Sequence, residues 1–327
     1  MNLRGRKILV TGGRGYIGSH TAKTLIAADA EVFIIDKRYV SKNKVKGTTL
    51  YGMGDYDDPE ILNNLREKGV DGVVHCAGTS LVGPSVDNPS EYYNNNVIRT
   101  IRMLDHLKEW DTPPFVVFSS SAAVYGEPSE VPILETAELR AKSPYGNSKL
   151  MIERVLQDYE TAYGIRSWCF RYFNAVGAAM PTSNLGPEEG DTHIIPRIFD
   201  AYYNNKPFKL YGTGYNTPDG TCIRDYVHVE DIATAHMTAC HYLASGNQSK
   251  IYNLGTGTGY SNSEILTAFT NIIGPVDIRI EGQRTGDPDQ LIASSSKFTA
   301  DTKWLPQFSD VTTILTSYRD YYEKRNN

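Results

Sequence analysis

The chain has 327 residues, 40% hydrophobic and 22% charged, a composition that fits a globular protein of one or two domains and excludes disorder. A net charge of −5 leaves no electrostatic footprint for nucleic acid or an anionic membrane, and the apolar run Ile8-Leu9-Val10 is too short for a signal peptide or a membrane helix. Cys76, Cys169, Cys222 and Cys240 form no Cys-x-x-Cys pair, which argues against a metal site or disulfide framework and for free thiols in a cytoplasmic protein.

Residues 7–11 read as a strand that turns through Gly12-Gly13-Arg14-Gly15-Tyr16-Ile17-Gly18 into a helix over 17–28. Strand, glycine loop and helix in this order are what a dinucleotide site requires. Glycine allows the tight turn, the backbone's approach to a pyrophosphate and close packing of helix on strand, while the helix N-terminus offers free N–H groups. The next strand, 31–35, ends in Asp36, 18 residues past Gly18, the spacing expected of a carboxylate that binds the adenosine ribose. Lys37 and Arg38 would suit the extra phosphate of NADP, but Asp36 would repel it, so the reading is NAD. The basic residues from Lys37 to Lys46 read as a solvated loop.

A third strand near 48–51 leads to Asp55, placed either to reach the adenine amino group or to close a turn. A fourth, 70–76, runs into Ala77-Gly78, small residues that admit a cofactor, and His75 reads as a packed strand residue rather than a base. Residues 92–109 read as one helix with Val97, Ile101, Leu104 and Leu107 on its apolar face. Asn94, Asn95 and Asn96 on its first turns are poor helix formers, so one of them is expected to bridge strands or steady the active site.

Phe115-Val116-Val117-Phe118 predicts a buried strand with Ser119, Ser120 and Ser121 at its carboxyl end, where open α/β sheets keep their sites. Ser143-Pro144 then starts a helix reaching about residue 163, with Tyr145 in its first turn and Lys149 one turn on along the same face. A free tyrosine ionises near pH 10, so a base working at neutrality needs its pKa lowered by roughly three units, about 4 kcal/mol, and the Lys149 cation is placed to supply much of that. A serine hydroxyl would hold the substrate hydroxyl meanwhile. The spacing alone carries little weight. Tyr202 and Lys206 repeat it without a serine-tipped strand and read as a helix-face pair with no chemistry.

A strand at 167–171 delivers Tyr172-Phe173-Asn174 to the same end of the sheet, and the alternation of strands and helices to this point predicts a doubly wound parallel sheet. Beyond Asn174 the alternation breaks down, and glycine, proline, asparagine and aspartate concentrate at 177–190 and 212–220, as in loops that carry binding residues. A helix at 232–243 and a strand at 251–254 return to the sheet. Arg224 is followed by Asp225 and Arg284 three residues on by Asp287, so they read either as surface ion pairs or as a clamp on a diphosphate.

The motifs Thr-Gly-Gly-x-Gly-Tyr-Ile-Gly-Ser-His at 11–20, Tyr-Tyr-x-Asn-Asn-Val at 92–97, Ser-Ser-Ser-Ala-x-Val-Tyr-Gly at 119–126, Tyr-Gly-x-Ser-Lys at 145–149 and Arg-Tyr-Phe-Asn at 171–174 occur in that order. They are followed by Arg224-Asp225-Tyr226-Val227-His228-Val229, Tyr252-Asn253-Leu254-Gly255 and Arg284-x-Gly-Asp287. This set resembles the extended short-chain dehydrogenase/reductase family, most closely its nucleotide-sugar 4-epimerases. The resemblance implies a Rossmann-like α/β fold with NAD bound by residues 1–175 with 226–256, and a smaller nucleotide-sugar domain of 176–225 with 257–327. It implies Ser121, Tyr145 and Lys149 as the catalytic set. Around the cofactor it implies Gly12, Gly15, Tyr16, Ile17, Gly18, Asp36, Asp55, Tyr56, Cys76, Ala77, Gly78, Asn96, Tyr145, Lys149 and Tyr172, and around the UDP-sugar Ser121, Tyr145, Asn174, His193, Tyr211, Arg224, Arg284 and Asp287.

The activity implied is interconversion of UDP-glucose and UDP-galactose by transient oxidation at C4, in a cytoplasmic homodimer paired through the helices at 92–109 and 145–163. His193 and Ser80 depart from residues that some epimerases carry. Ala122-Ala123 stands where related dehydratases have an Asp-Glu pair, which disfavours dehydration, and a decarboxylase's glutamate is equally absent. Leu291, of middle size at a position that gates N-acetyl groups in the family, points to the plain hexoses ahead of N-acetylhexosamines or pentoses.

Overall fold

The computed structural model describes residues 2–38, 43–179, 185–187, 193–283 and 287–326. They group into two compact units. One takes the chain up to Gly126, then Glu138–Tyr172 and Ile232–Tyr252; the other takes Glu127–Ala137, Phe173–Asp231 and the chain from Asn253. The second unit thus includes residues 127–137, 173–175, 226–231 and 253–256, which the sequence reading assigned to the first.

The first unit is built on a seven-stranded sheet whose order is Lys250–Leu254, Ser167–Tyr172, Phe115–Ser121, Gly72–His75, Lys7–Thr11, Glu31–Ile35 and Thr49–Gly52. From Ser167–Tyr172 to Thr49–Gly52 the pairings are parallel. Strands buried on both faces read as continuous apolar runs, and Ile8, Leu9, Val10, Val73, Val74, Val116 and Val117 are all shielded from solvent. Each such side chain contributes roughly 1.5–3 kcal/mol on leaving water. The chain order reverses between Lys7–Thr11 and Gly72–His75, with Thr11 in register with His75. In doubly wound sheets that switch point opens a crevice at the carboxyl ends of the strands.

Two elements differ from the sequence reading. The stretch 92–109 is not one α-helix: Pro89–Tyr92 is α-helical, Tyr93–Ile98 is a π-helix, and Arg99–Leu107 is α-helical again. The wider π turn takes up an extra residue and rotates the helix beyond it, so Thr100 and Met103 join Leu104 and Leu107 on the buried side. The strand begun at Phe115 continues to Ser121, so the three serines belong to the strand itself and pair with Phe170, Arg171 and Tyr172.

Pro144–Tyr163 shows why its helix starts and stops where it does. The Ser143 hydroxyl accepts from Gly146 N at 3.1 Å, proline takes the first helical position, and Gly164 ends the helix in the left-handed region. Its buried face carries Lys149, Ile152, Glu153 and Leu156.

In the second unit, Ile223–His228 is flanked by Asn174–Val176 and Gln290–Leu291, both parallel to it, and by antiparallel Gly259–Ser261. Phe208–Tyr211 pairs with Ile278–Glu281. A core of Ile198, Phe199, Phe269, Leu315 and Tyr318 joins these strands to the helices Ile194–Tyr203, Asn262–Ile272 and Val311–Asn326. The helix begun at Ile194 ends at Tyr203, so Tyr202 and Lys206 do not share a helix face as the spacing predicted.

Candidate active site

The glycine loop has the cradle a dinucleotide needs. Gly12 takes φ +67°, and a Cβ there would lie 2.9 Å from Ala77 N; a Cβ on Gly18 would lie 2.3 Å from Gly12 O. Both positions therefore exclude a side chain, one by backbone conformation and contact, the other by contact alone. Gly15 caps the helix Tyr16–Ala27 and, having no side chain, makes no cap hydrogen bond to its first turn. Asp36 leaves the second strand at the same end, and its carboxylate accepts from Arg14 N and Arg38 N, each at 2.8 Å.

Asp55 is held by Lys37 at 2.6 Å and by Arg99. Burial alone would raise its pKa, yet these two cations hold its carboxyl below the usual carboxylate range. Lys37, on an exposed bend as the sequence suggested, is thus also an ion-pair partner. Tyr56 has a buried ring, and its hydroxyl bonds Asn95 O and Thr100 Oγ1.

At the switch point, Cys76, Ala77 and Gly78 follow the fourth strand, and Ala77 N donates to Thr11 Oγ1. Asn96 is buried on the π-helix: its Oδ1 accepts from Thr79 N at 2.7 Å, while its Nδ2 donates to Thr79 O at 2.9 Å and to Ser148 Oγ at 3.0 Å. One carboxamide thereby ties the loop after the fourth strand to the helix that carries Tyr145. His75 packs as the sequence suggested. Its ring bonds Thr11 and Thr100, and burial lowers its pKa to about 3, which leaves it neutral.

Ser121, Tyr145 and Lys149, the expected catalytic set, lie in this unit, the first at the end of the serine strand and the other two on the helix Pro144–Tyr163. Ser121 Oγ accepts from Ala123 N at 3.2 Å. Tyr145 is half-buried, with its ring edge-on to Tyr92. Lys149 Nζ lies 5.8 Å from the centre of the Tyr145 ring and donates to Ser119 O at 2.8 Å. Burial pulls the Lys149 pKa down to about 8. An amine so placed gains from any negative charge that forms on the phenol, and the coupling is mutual: the same cation favours the phenolate.

Beneath them runs a chain that sequence reasoning missed: the Tyr172 hydroxyl donates to Ser119 Oγ at 3.0 Å and lies 2.5 Å from His236 Nε2. A second, fully buried set joins Ser120 Oγ to Glu153 at 2.5 Å, and Glu153 to Arg171 at 2.6 Å, with Arg171 also donating to the Tyr125 hydroxyl. Glu153 lies one turn past Lys149, so it locks the register of the helix Pro144–Tyr163 against the serine strand.

In the second unit, Asn174, His193, Tyr211, Arg224 and Asp287 line one cavity of about 140 Å³. Arg224 is 2.5 Å from Asp287, with side chains only 11% and 29% exposed, so this is no ordinary surface pair. Its partner is not the sequence neighbour Asp225, whose carboxylate instead accepts from Thr256, Gly257 and Ala293. Leu291 pairs in register with Arg224. Arg284 lies outside the described residues. Arg197 and Tyr226 also line the cavity and were not singled out from the sequence.

Residues 8–255 match the family model described as Epimerase, the NAD dependent epimerase/dehydratase family. The UDP-glucose 4-epimerase of Streptococcus mutans is 40% identical over 317 residues, 95% of either chain. The structure of UDP-glucose 4-epimerase from Brucella ovis in complex with NAD superposes with a TM-score of 0.91 at 38% identity, covering 97% of this chain and 98% of that one. The enzyme from Bifidobacterium longum, in complex with NAD+ and UDP, gives 0.88 at 32% identity over 98% and 99%. With its glycine cradle, its serine, tyrosine and lysine set, and a match over most of its length, the chain belongs to the NAD dependent epimerase/dehydratase family.

Proposed function

We propose that the protein is an NAD-dependent isomerase that inverts C4 of a UDP-sugar, interconverting UDP-glucose and UDP-galactose. The observation that carries this reading is the Lys149 ammonium beside Tyr145 at the end of a serine strand, in a chain similar along nearly its whole length to UDP-glucose 4-epimerases.

The loop from Gly12 to Gly18 and Asp36 fit a dinucleotide: the first ends in a helix N-terminus with no side-chain cap from Gly15, a place for a pyrophosphate, and the second gives a carboxylate to the adenosine ribose. Asp55, Tyr56, Cys76, Ala77, Gly78, Asn96 and Tyr172 complete this set. Bound NAD supplies a hydride acceptor that gives the same hydride back, so the net redox change is zero.

Tyr145, as phenolate, takes the proton of the C4 hydroxyl, and the Ser121 hydroxyl steadies that oxygen. Lys149 favours the phenolate through its charge. Asn174, His193, Tyr211, Arg224, Arg284 and Asp287 keep hold of the nucleotide while the 4-keto sugar turns over; Tyr145 then returns the proton to the other epimer.

Substrate deuterated at C4 tests the reading. Product that keeps its deuterium at C4 without accumulating NADH is expected, and label lost to solvent or stoichiometric NADH would overturn it. A panel with N-acetylhexosamine and pentose substrates tests the choice of sugar, for which Leu291 favours the plain hexoses.

The protein is further read as a cytoplasmic homodimer. Ile98 and Met151 are 45% and 44% exposed apolar side chains on the two helical stretches expected to pair. A mass near twice 36.4 kDa by light scattering at micromolar concentration is expected, and the protomer mass would refute it.

A further inference from the structure

The cavity of the second unit holds several cations, and most have a carboxylate. Arg224 is bonded to Asp287, and Lys209 stands 3.5 Å from Glu281. Arg197, one turn into the helix Ile194–Tyr203, is different. Its guanidinium lies 5.2 Å from the centre of the Tyr211 ring, and among the described residues no carboxylate is within ion-pair distance of it. Arg197 is half-buried at the cavity wall, so its N–H donors face solvent and are open to a ligand's oxygen. Here the guanidinium sits over the face of Tyr211, a contact that uses its charge but none of its N–H donors.

We propose that Arg197 is a further nucleotide-binding residue, whose guanidinium donates to an oxygen of the uridine diphosphate moiety. The ligand's identity rests on the proposed epimerase activity; the availability of the Arg197 donors does not. With Arg224 already neutralised by Asp287, Arg197 is the described cavity cation that an incoming nucleotide meets without first displacing a carboxylate. The acceptor is a phosphate oxygen or a carbonyl of the base, and the two are separable by experiment.

Titration calorimetry of the NAD-loaded protein with UDP is the test. Arg197→Gln is expected to bind UDP about tenfold or more weakly, as loss of a charge-assisted hydrogen bond implies, with NAD content and melting temperature unchanged. Arg197→Lys, which keeps the charge without the fork, is expected to fall between. Repeating the titration with UMP and uridine locates the acceptor. A loss that persists with uridine assigns the base, and one that needs phosphate assigns the diphosphate.

UDP affinity of Arg197→Gln within twofold of wild type overturns the proposal, as does equal weakening of both variants accompanied by a lower melting temperature. Wild-type turnover of UDP-glucose is measured separately. A protein that binds UDP through Arg197 yet does not epimerise loses the proposed function and keeps this inference; one that epimerises with Arg197→Gln binding UDP normally loses the inference alone.

Discussion

Lys149 holds its ammonium 5.8 Å from the centre of the Tyr145 ring while donating to the Ser119 carbonyl at 2.8 Å. The carbonyl fixes where the charge sits, and burial keeps water from screening it. Lys149→Met removes the charge and keeps the bulk. Turnover should fall about 10²–10³-fold, and the rate should rise toward alkaline pH because Tyr145 must ionise unaided. A pH–rate profile of the variant checks this, and an unshifted profile would contradict it.

Tyr145→Phe keeps the ring against Tyr92 and loses only the hydroxyl. Turnover should drop about 10³-fold while purified protein still carries its NAD. Cofactor content by absorbance, measured beside the rate, separates loss of the base from loss of the site.

Gly18→Ala would push a methyl to 2.3 Å from Gly12 O, whereas Gly83 has nothing within 4 Å of its Cβ position. The first variant should purify with little NAD and melt several degrees lower. Gly83→Ala should match the wild type on both counts.

Glu153 and Arg171 are each 2% exposed, so breaking the pair strands a buried charge. Glu153→Ala should cost about 3–5 kcal/mol in denaturant unfolding, and a double Glu153→Met, Arg171→Met variant should recover most of that. Equal losses in the single and double variants would show that the pair itself, rather than the stranded charge, carries the stability.

His236 is fully buried against Tyr172, and burial lowers its pKa to about 4 from an ordinary 6.5. The unfolded chain therefore binds a proton that the native state refuses, and stability falls as pH drops through the window from 6.5 to 4. Within that window wild type should lose about 1.4 kcal/mol per pH unit more than His236→Gln, measured as the difference between two unfolding curves. Parallel slopes would mean that His236 is protonated in the native state.

Periodicity and punctuation made much of the first unit legible. Continuous runs such as Ile8-Leu9-Val10, cut short by glycines, read as strands buried on both faces, and a glycine loop between strand and helix limits what can dock there. The Ser143-Pro144 start fixed the phase of Tyr145 and Lys149, because a capped helix has one register. Residue order failed where backbone geometry changed without a compositional mark. Nothing in the run of three asparagines says that a π turn will bury Asn96 while leaving Asn94 exposed.

The sequence by itself determined the local devices: the glycine loop, the helix that carries Tyr145 and Lys149, and the polar loops of the second unit. Each is set by neighbours a few residues apart. Only the tertiary structure decided the long-range pairings, such as Glu153 with Arg171, Asp55 with Lys37 and Arg99, Arg224 with Asp287 rather than Asp225, and Arg197 without a carboxylate among the described residues. The physical reason is that a charge's partner is chosen by distance in space and by what burial leaves within reach, and separation along the chain does not encode that distance.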